Sequence, residues 1–167
     1  MIRQTSKYRY SKIKSPVGDL YAVSNSKQLT ALIFDSGWKD FVKTEKIELL
    51  KMKDSVLKIT EKQLNEYFTG RRTEFDVPLV FAGTDFQKNV WKSLLSIPFG
   101  TTISYSEQAK RIKKPAAVRA VGGANGKNKI CIIVPCHRVV GKNGSLTGFA
   151  GGIQTKEQLL RFEKIIL

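Results

Sequence analysis

The chain has 167 residues, enough for one medium domain or two small ones, and its 41% hydrophobic content supports a packed core and excludes a disordered tail. No apolar run approaches the ~20 residues that cross a bilayer, and the opening MIRQTSKYRY lacks the apolar segment of a signal peptide. The cytosol, or the nucleus of a eukaryote, is therefore the expected location, with no membrane partner. The net charge is +15, from 29 Lys and Arg against 14 Asp and Glu, so an anionic partner is expected.

The first third alternates apolar and polar residues over Tyr8–Lys14, Leu20–Ser24 and Leu29–Phe34, with turn residues between, which predicts a three-stranded antiparallel meander. Val56, Leu57, Leu64, Tyr67 and Phe68 then recur at helical spacing until Gly70. Residues 71–83 lack a period and contain Pro78, so they read as a connection that ends an amino-terminal domain, 1–83, and precedes a second, 84–167. Thr84-Asp85-Phe86-Gln87 is a capping-box pattern, followed by Phe86, Val90, Leu94 and Ile97 on one helical face.

Ser104-Tyr105-Ser106-Glu107 predicts another helix start, running to Ile112, and a tight connection leads to a helix from Pro115 to Ala124. Two short helices joined so closely predict a helix-turn-helix. The second carries small residues around one long side chain, Arg119; close approach to a partner and packing against another helix account for them equally. An arginine there can reach into a groove or fill a vacated base position. Asn125-Gly126 reads as a turn, and Lys129–Val134 as a fully buried strand ending at Pro135. A glycine-rich loop, Gly148–Gly152, precedes a last helix opened by Thr155 and Gln158.

Charge is unevenly placed, because residues 84–167 hold 14 basic side chains against 4 acidic ones, and Glu107 is the one acid between Ser104 and Lys142. Nucleic acid fits such a surface, although a solubilising lysine-rich face accounts for the charge alone. Two cysteines cannot form a disulfide framework, and one histidine makes a four-ligand metal site unexpected. Cys131 lies in an apolar run and reads as core. Cys136 lies beside His137 and Arg138, whose charges would favour its thiolate, so it is the candidate nucleophile. Adjacent side chains cannot easily share a direct hydrogen bond, so His137 would act through a water and would need a group to orient its other ring nitrogen.

Pro135-Cys136-His137-Arg138-Val139 resembles the active-site signature of the O6-alkylguanine-DNA alkyltransferases, also called methylated-DNA–protein-cysteine methyltransferases. The resemblance runs from Thr84 to Glu163. It includes Phe99-Gly100, Ile103-Ser104-Tyr105, the run Arg119–Ala124, Asn128, the Gly148–Gly152 loop and Leu159-Leu160, whereas residues 1–83 match only loosely. It implies an α+β fold: a small ribonuclease-H-like antiparallel sheet with helix, then a winged-helix-type domain containing the helix-turn-helix.

It also implies direct reversal of damage in double-stranded DNA, with the alkyl group of a flipped O6-alkylguanine, and of O4-alkylthymine, moved irreversibly to Cys136 by a monomer that uses no cofactor. Under the resemblance His137 is the water-mediated base, Glu163 its orienting group and Asn128 the brace of the active-site turn. Tyr105 steers a phosphate and helps protonate the leaving guanine. Arg119, Ala120, Gly123, Tyr105 and Arg138 contact DNA, with the recognition helix in the minor groove. Val139, Phe149 and Ala150 form the base pocket; Phe149 stands where many relatives have tyrosine, and Ala150 where some have serine. A non-catalytic lesion sensor would lack the acceptor cysteine, a helix-turn-helix regulator would leave the Pro-Cys-His-Arg run unexplained, and a thiol hydrolase normally keeps its histidine far from its cysteine.

Overall fold

The computed structural model describes residues 7–165, so the first six residues of the opening stretch read for a signal peptide lie outside the described part. The chain divides into two compact units, Met1–Phe81 and Ala82–Leu167.

In the first unit, β1 (Lys7–Ile13), β2 (Leu20–Ser24) and β3 (Leu29–Phe34) pair in succession as an antiparallel meander. Gly18, at φ 104°, closes the first turn with its amide donating to Ser15 O at 3.2 Å, a conformation glycine adopts without strain. The register aligns Ile13, Leu20 and Phe34, then Ser11, Ala22 and Leu32, and all six are buried. The helix Ser55–Phe68 buries Val56, Leu57, Leu64 and Tyr67 and packs on the sheet, with its first turn capped by Asp54, which accepts from Leu57 N at 2.9 Å.

Two further elements complete this unit beyond the sequence expectation. A helix, α1 (Asp35–Glu45), buries none of its residues and is held by Trp38, which stacks on Tyr21 with ring centroids 4.3 Å apart. A four-residue strand, β4 (Glu48–Lys51), adds parallel to the free edge of β1, giving the order β3-β2-β1-β4. In chain order Ser55–Phe68 is therefore α2.

The second unit opens with α3 (Asp85–Leu94) and a complete capping box: Thr84 Oγ1 accepts from Gln87 N, and Gln87 Oε1 accepts from Thr84 N. A two-residue strand, β5 (Ile103–Ser104), leads into α4 (Tyr105–Arg111), whose first turn Ser104 caps by accepting from Glu107 N at 3.1 Å. The next helix, α5, spans Val118–Gly126, so it starts three residues after Pro115 and continues through the expected Asn125-Gly126 turn. Pro115 instead sits in a turn that Ala117 N closes onto Lys114 O at 2.8 Å, while Trp91 Nε1 donates to Ala124 O at 2.8 Å near the helix end.

The angle between α4 and α5 is fixed by buried amides. Asn125 Nδ2 donates to Gln108 Oε1 at 2.7 Å, and Gln108 Nε2 donates onward to Val90 O at 3.2 Å. Every lone pair and proton so satisfied rigidifies the pairing of the two helices.

Residues 129–134 do not form the expected strand. Most of them are buried, yet the backbone winds through turns, with Ile132 at φ 69° and Val134 N returning to Ile130 O at 3.0 Å. A run of apolar residues reports burial, and burial alone does not set the backbone. A 3-10 turn, Cys136–Arg138, follows, then β6 (Val139–Val140), which pairs parallel with β5. The last helix, α6 (Ile153–Phe162), follows Gly152 (φ 87°) as its cap residue rather than opening at Thr155, which lies inside its first turn. No described helix is long and apolar enough to cross a membrane.

Candidate active site

Cys136 opens the 3-10 turn and is only 6% exposed. Its sulfur accepts from Asn128 Nδ2 at 3.2 Å, and the same amide donates to Val134 O at 2.8 Å while Asn128 Oδ1 accepts from Ile130 N at 2.9 Å. One side chain thus holds the irregular 128–136 segment and the sulfur together. Burial pushes the Cys136 thiol above its ordinary pKa, opposed by the Asn128 hydrogen bond and by the positive charge of Lys156.

Arg138 corrects the sequence expectation. Expected among the DNA-contacting residues and in the field around the thiol, it is 5% exposed, and Nε, Nη1 and Nη2 each donate within the protein. Its Nε and Nη2 grip Glu163 at 2.9 Å each, and Nη1 donates to Ile97 O at 2.6 Å. A planar fork facing a carboxylate is the geometry guanidinium prefers, and the buried acid leaves it no freedom to turn outward.

Glu163, just past α6, also accepts from His137 Nε2 at 2.8 Å and from Gly100 N at 3.2 Å. Burial alone would raise its pKa, but the hydrogen bonds from His137 and Arg138 outweigh it and hold the carboxyl at about 2. Burial lowers the His137 pKa against the pull of Glu163, so the imidazole is neutral near pH 7. With an ionised carboxylate on Nε2, that nitrogen carries the proton, and Nδ1 is a bare acceptor with no hydrogen-bond partner in the structure.

Lys156 was missed from the sequence. It is 0% exposed on α6, donating from Nζ to Val139 O at 2.6 Å and to Thr147 O at 3.0 Å. The signal was present: Lys156 shares a helical face with Leu159, Leu160 and Glu163, all buried, so a lysine stands where the core stripe requires an apolar residue.

Tyr105, at the start of α4, donates to Thr147 O at 3.2 Å, and its ring lies 3.8 Å from where a Cβ on Gly122 would be. Half-buried Phe149 meets the His137 ring edge-on at 6.4 Å, and Ala150 is exposed. On α5, Val121, Ala124 and Asn125 face inward, whereas Arg119, Ala120 and Gly123 are exposed. Small residues therefore serve both faces, and the outward one has open space above Gly123. Side-chain hydrogen bonds join Asn128 to Cys136, and separately join His137 and Arg138 to Glu163, and the two groups are brought side by side because Cys136 and His137 are consecutive in the 3-10 turn; Arg119 lies apart on the outer face of α5. No three His, Cys, Asp or Glu side chains among the described residues are grouped to hold a metal.

This arrangement, a buried thiol beside a neutral histidine whose far nitrogen an anionic carboxylate fixes, suits nucleophilic transfer. The family model described as the ribonuclease-like domain of 6-O-methylguanine DNA methyltransferase matches residues 8–81, and the model of its DNA binding domain matches 85–165. A methylated-DNA–protein-cysteine methyltransferase of Methanosarcina barkeri is 46% identical over 156 residues, 93% of this chain and 96% of that protein. The protein of that name from Mycobacterium tuberculosis is 62% identical over 102 residues, and the match spans 61% of this chain and 62% of its relative. The crystal structure of Mycobacterium tuberculosis OGT in complex with DNA superposes with a TM-score of 0.83 at 47% identity, covering 95% of this chain and 92% of that one.

Proposed function

The chain belongs to the 6-O-methylguanine DNA methyltransferase family, and on that premise we propose that it repairs double-stranded DNA by moving the alkyl group of O6-alkylguanine, and of O4-alkylthymine, onto Cys136. The observation that carries this reading is the His137–Glu163 pair beside a thiol held by Asn128.

Glu163 keeps the Nε2 proton on His137, so Nδ1 takes the Cys136 proton through a water. The thiolate attacks the alkyl carbon in line: a carbon–sulfur bond forms, the carbon–O6 bond breaks, and the electron pair stays with guanine, which takes a proton with help from Tyr105. The product is a thioether, and nothing around Cys136 hydrolyses it, so each molecule reacts once. No cofactor is required.

The reacting carbon is unreachable inside stacked duplex, so the base leaves the helix at a cost of a few kcal/mol. The basic second unit supplies binding energy through phosphates, and the small outer face of α5, Ala120 and Gly123, lets a minor groove approach while Arg119 fills the gap. The Val139 carbonyl and the Ala150 amide read the edge of the extruded base, with Phe149 beside it. The protein acts as a monomer.

With an oligonucleotide carrying radiolabelled O6-methylguanine in excess, label on the protein is expected to plateau at one methyl per chain. Continued turnover after that plateau overturns the single-use mechanism.

A further inference from the structure

We propose that Gln108 and Asn125 are positioning residues for the DNA interface: their reciprocal amide contact sets the register in which α5 presents Arg119 and α4 presents Tyr105, and so controls how tightly duplex DNA is held; this rests on the function proposed above. Gln108 is fully buried and Asn125 is 6% exposed. Asn125 Nδ2 donates to Gln108 Oε1 at 2.7 Å, and Gln108 Nε2 donates back to Asn125 Oδ1 at 3.3 Å. The same Nε2 reaches α3, donating to Ser93 Oγ at 3.1 Å, while Ser93 Oγ donates to Val90 O at 2.6 Å. Three helices therefore meet on one closed set of polar groups.

Apolar side chains at such a junction would pack over a range of helix positions, whereas the amides hold their partners at one spacing, and a shift leaves buried donors and acceptors unpaired. Three residues before Gln108, the Tyr105 ring lies 3.8 Å from where a Cβ on Gly122 would be, and Gly122 is itself three residues before Asn125. Tyr105 and Gly122 thus continue the row that Gln108 and Asn125 begin. Trp91 Nε1, donating to Ala124 O at 2.8 Å, adds a second tie beside Asn125, so α5 is anchored towards its carboxy-terminal end. Arg119 stands six residues away on the exposed side, about 9 Å along the axis, and a tilt of about 10° at the anchor shifts the backbone there by about 1.5 Å. The partners of both amides lie on α3, α4 and α5, so the effect falls on DNA rather than on the thiol.

The test measures binding of the full chain to an undamaged, labelled duplex by fluorescence anisotropy, with the binding-competent fraction fixed by stoichiometric titration and stability followed by urea unfolding. Gln108→Leu with Asn125→Leu nearly keeps the volume and removes both amides together, so stability is expected to stay close to that of the wild type. Duplex affinity is nevertheless expected to fall about tenfold. The exchange Gln108→Asn with Asn125→Gln keeps one long amide facing one short one and is expected to recover affinity to within about threefold of the wild type. A folded apolar pair that binds duplex as tightly as the wild type overturns the proposal, because a merely structural contact moves stability and leaves the affinity of the folded chain alone.

If the apolar pair does not fold, the single changes Gln108→Asn and Asn125→Gln decide, set against the exchange that combines them. Each single change alters the length of one arm and is expected to weaken binding, and their combination must bind more tightly than either alone; losses that simply add overturn the proposal. None of these measurements uses an alkylated base, so failure of the methyl-transfer reading is seen separately, in the radiolabel experiment.

Discussion

Replacing Glu163 with glutamine is expected to slow single-turnover methyl transfer by about 10³- to 10⁴-fold, the scale seen when the orienting carboxylate of a catalytic triad becomes an amide. Glutamine fits the same space but no longer forces the proton onto His137 Nε2, so Nδ1 ceases to be a dependable acceptor for the Cys136 proton. Arg138 loses its counter-ion while remaining buried, which costs about 3–5 kcal/mol of stability.

The same variant changes the response to acid. In the wild type the Glu163 carboxyl titrates at about 2, below its ordinary 4.5, so its contribution is present above pH 4.5 and is lost as pH falls towards 2. That shift corresponds to about 3 kcal/mol. Urea unfolding at pH 7, 5 and 3 is expected to show this loss in the wild type, with Glu163→Gln lacking this component. Transfer at the wild-type rate by the variant would show that Glu163 does not orient the base.

Gly123→Glu is expected to weaken binding to duplex DNA by about 100-fold or more at moderate salt, through bulk and a negative charge on the outer face of α5. A Cβ at Gly123 meets nothing within 4 Å, so the fold accepts the change. Exchange of an exposed helical glycine for glutamate should hold or slightly raise stability. Cys136 should keep its reactivity towards iodoacetamide, because no part of the thiol cluster lies on that face. Fluorescence anisotropy with a labelled duplex checks this. Unchanged DNA affinity would mean that another surface meets the nucleic acid.

The sequence made legible what depends on near neighbours. Alternation across Tyr8–Lys14 and Leu20–Ser24 gave strands because one face of the meander is buried, and Thr84 and Ser104 marked helix starts because capping acts over three residues. It was silent where distant residues decide. Nothing local indicates α1, whose Trp38 is held by stacking on Tyr21 rather than by a buried stripe, or the short edge strand β4. The apolar run before Pro135 looked like a strand because the sequence does not show that Asn128 gathers it into turns.

The site divides in the same way. Cys136 and His137 announce themselves as neighbours, whereas Glu163 reaches His137 across 26 residues and was named only through resemblance. Arg138 looked like a free cation because its partners, Glu163 and Ile97, are 25 and 41 residues away. Lys156 was overlooked because lysine is ordinarily read as surface, even at a core position of a helix.

The most direct measurement is intact mass followed by peptide mapping after mixing the protein with an oligonucleotide containing O6-methylguanine. The account predicts one methyl in place of one hydrogen, located on Cys136 and absent from the Cys136→Ala chain. Cys131, whose thiol burial raises well above its ordinary pKa, should stay unmodified. A methyl on Cys131, or no methyl on the protein at all, would contradict it.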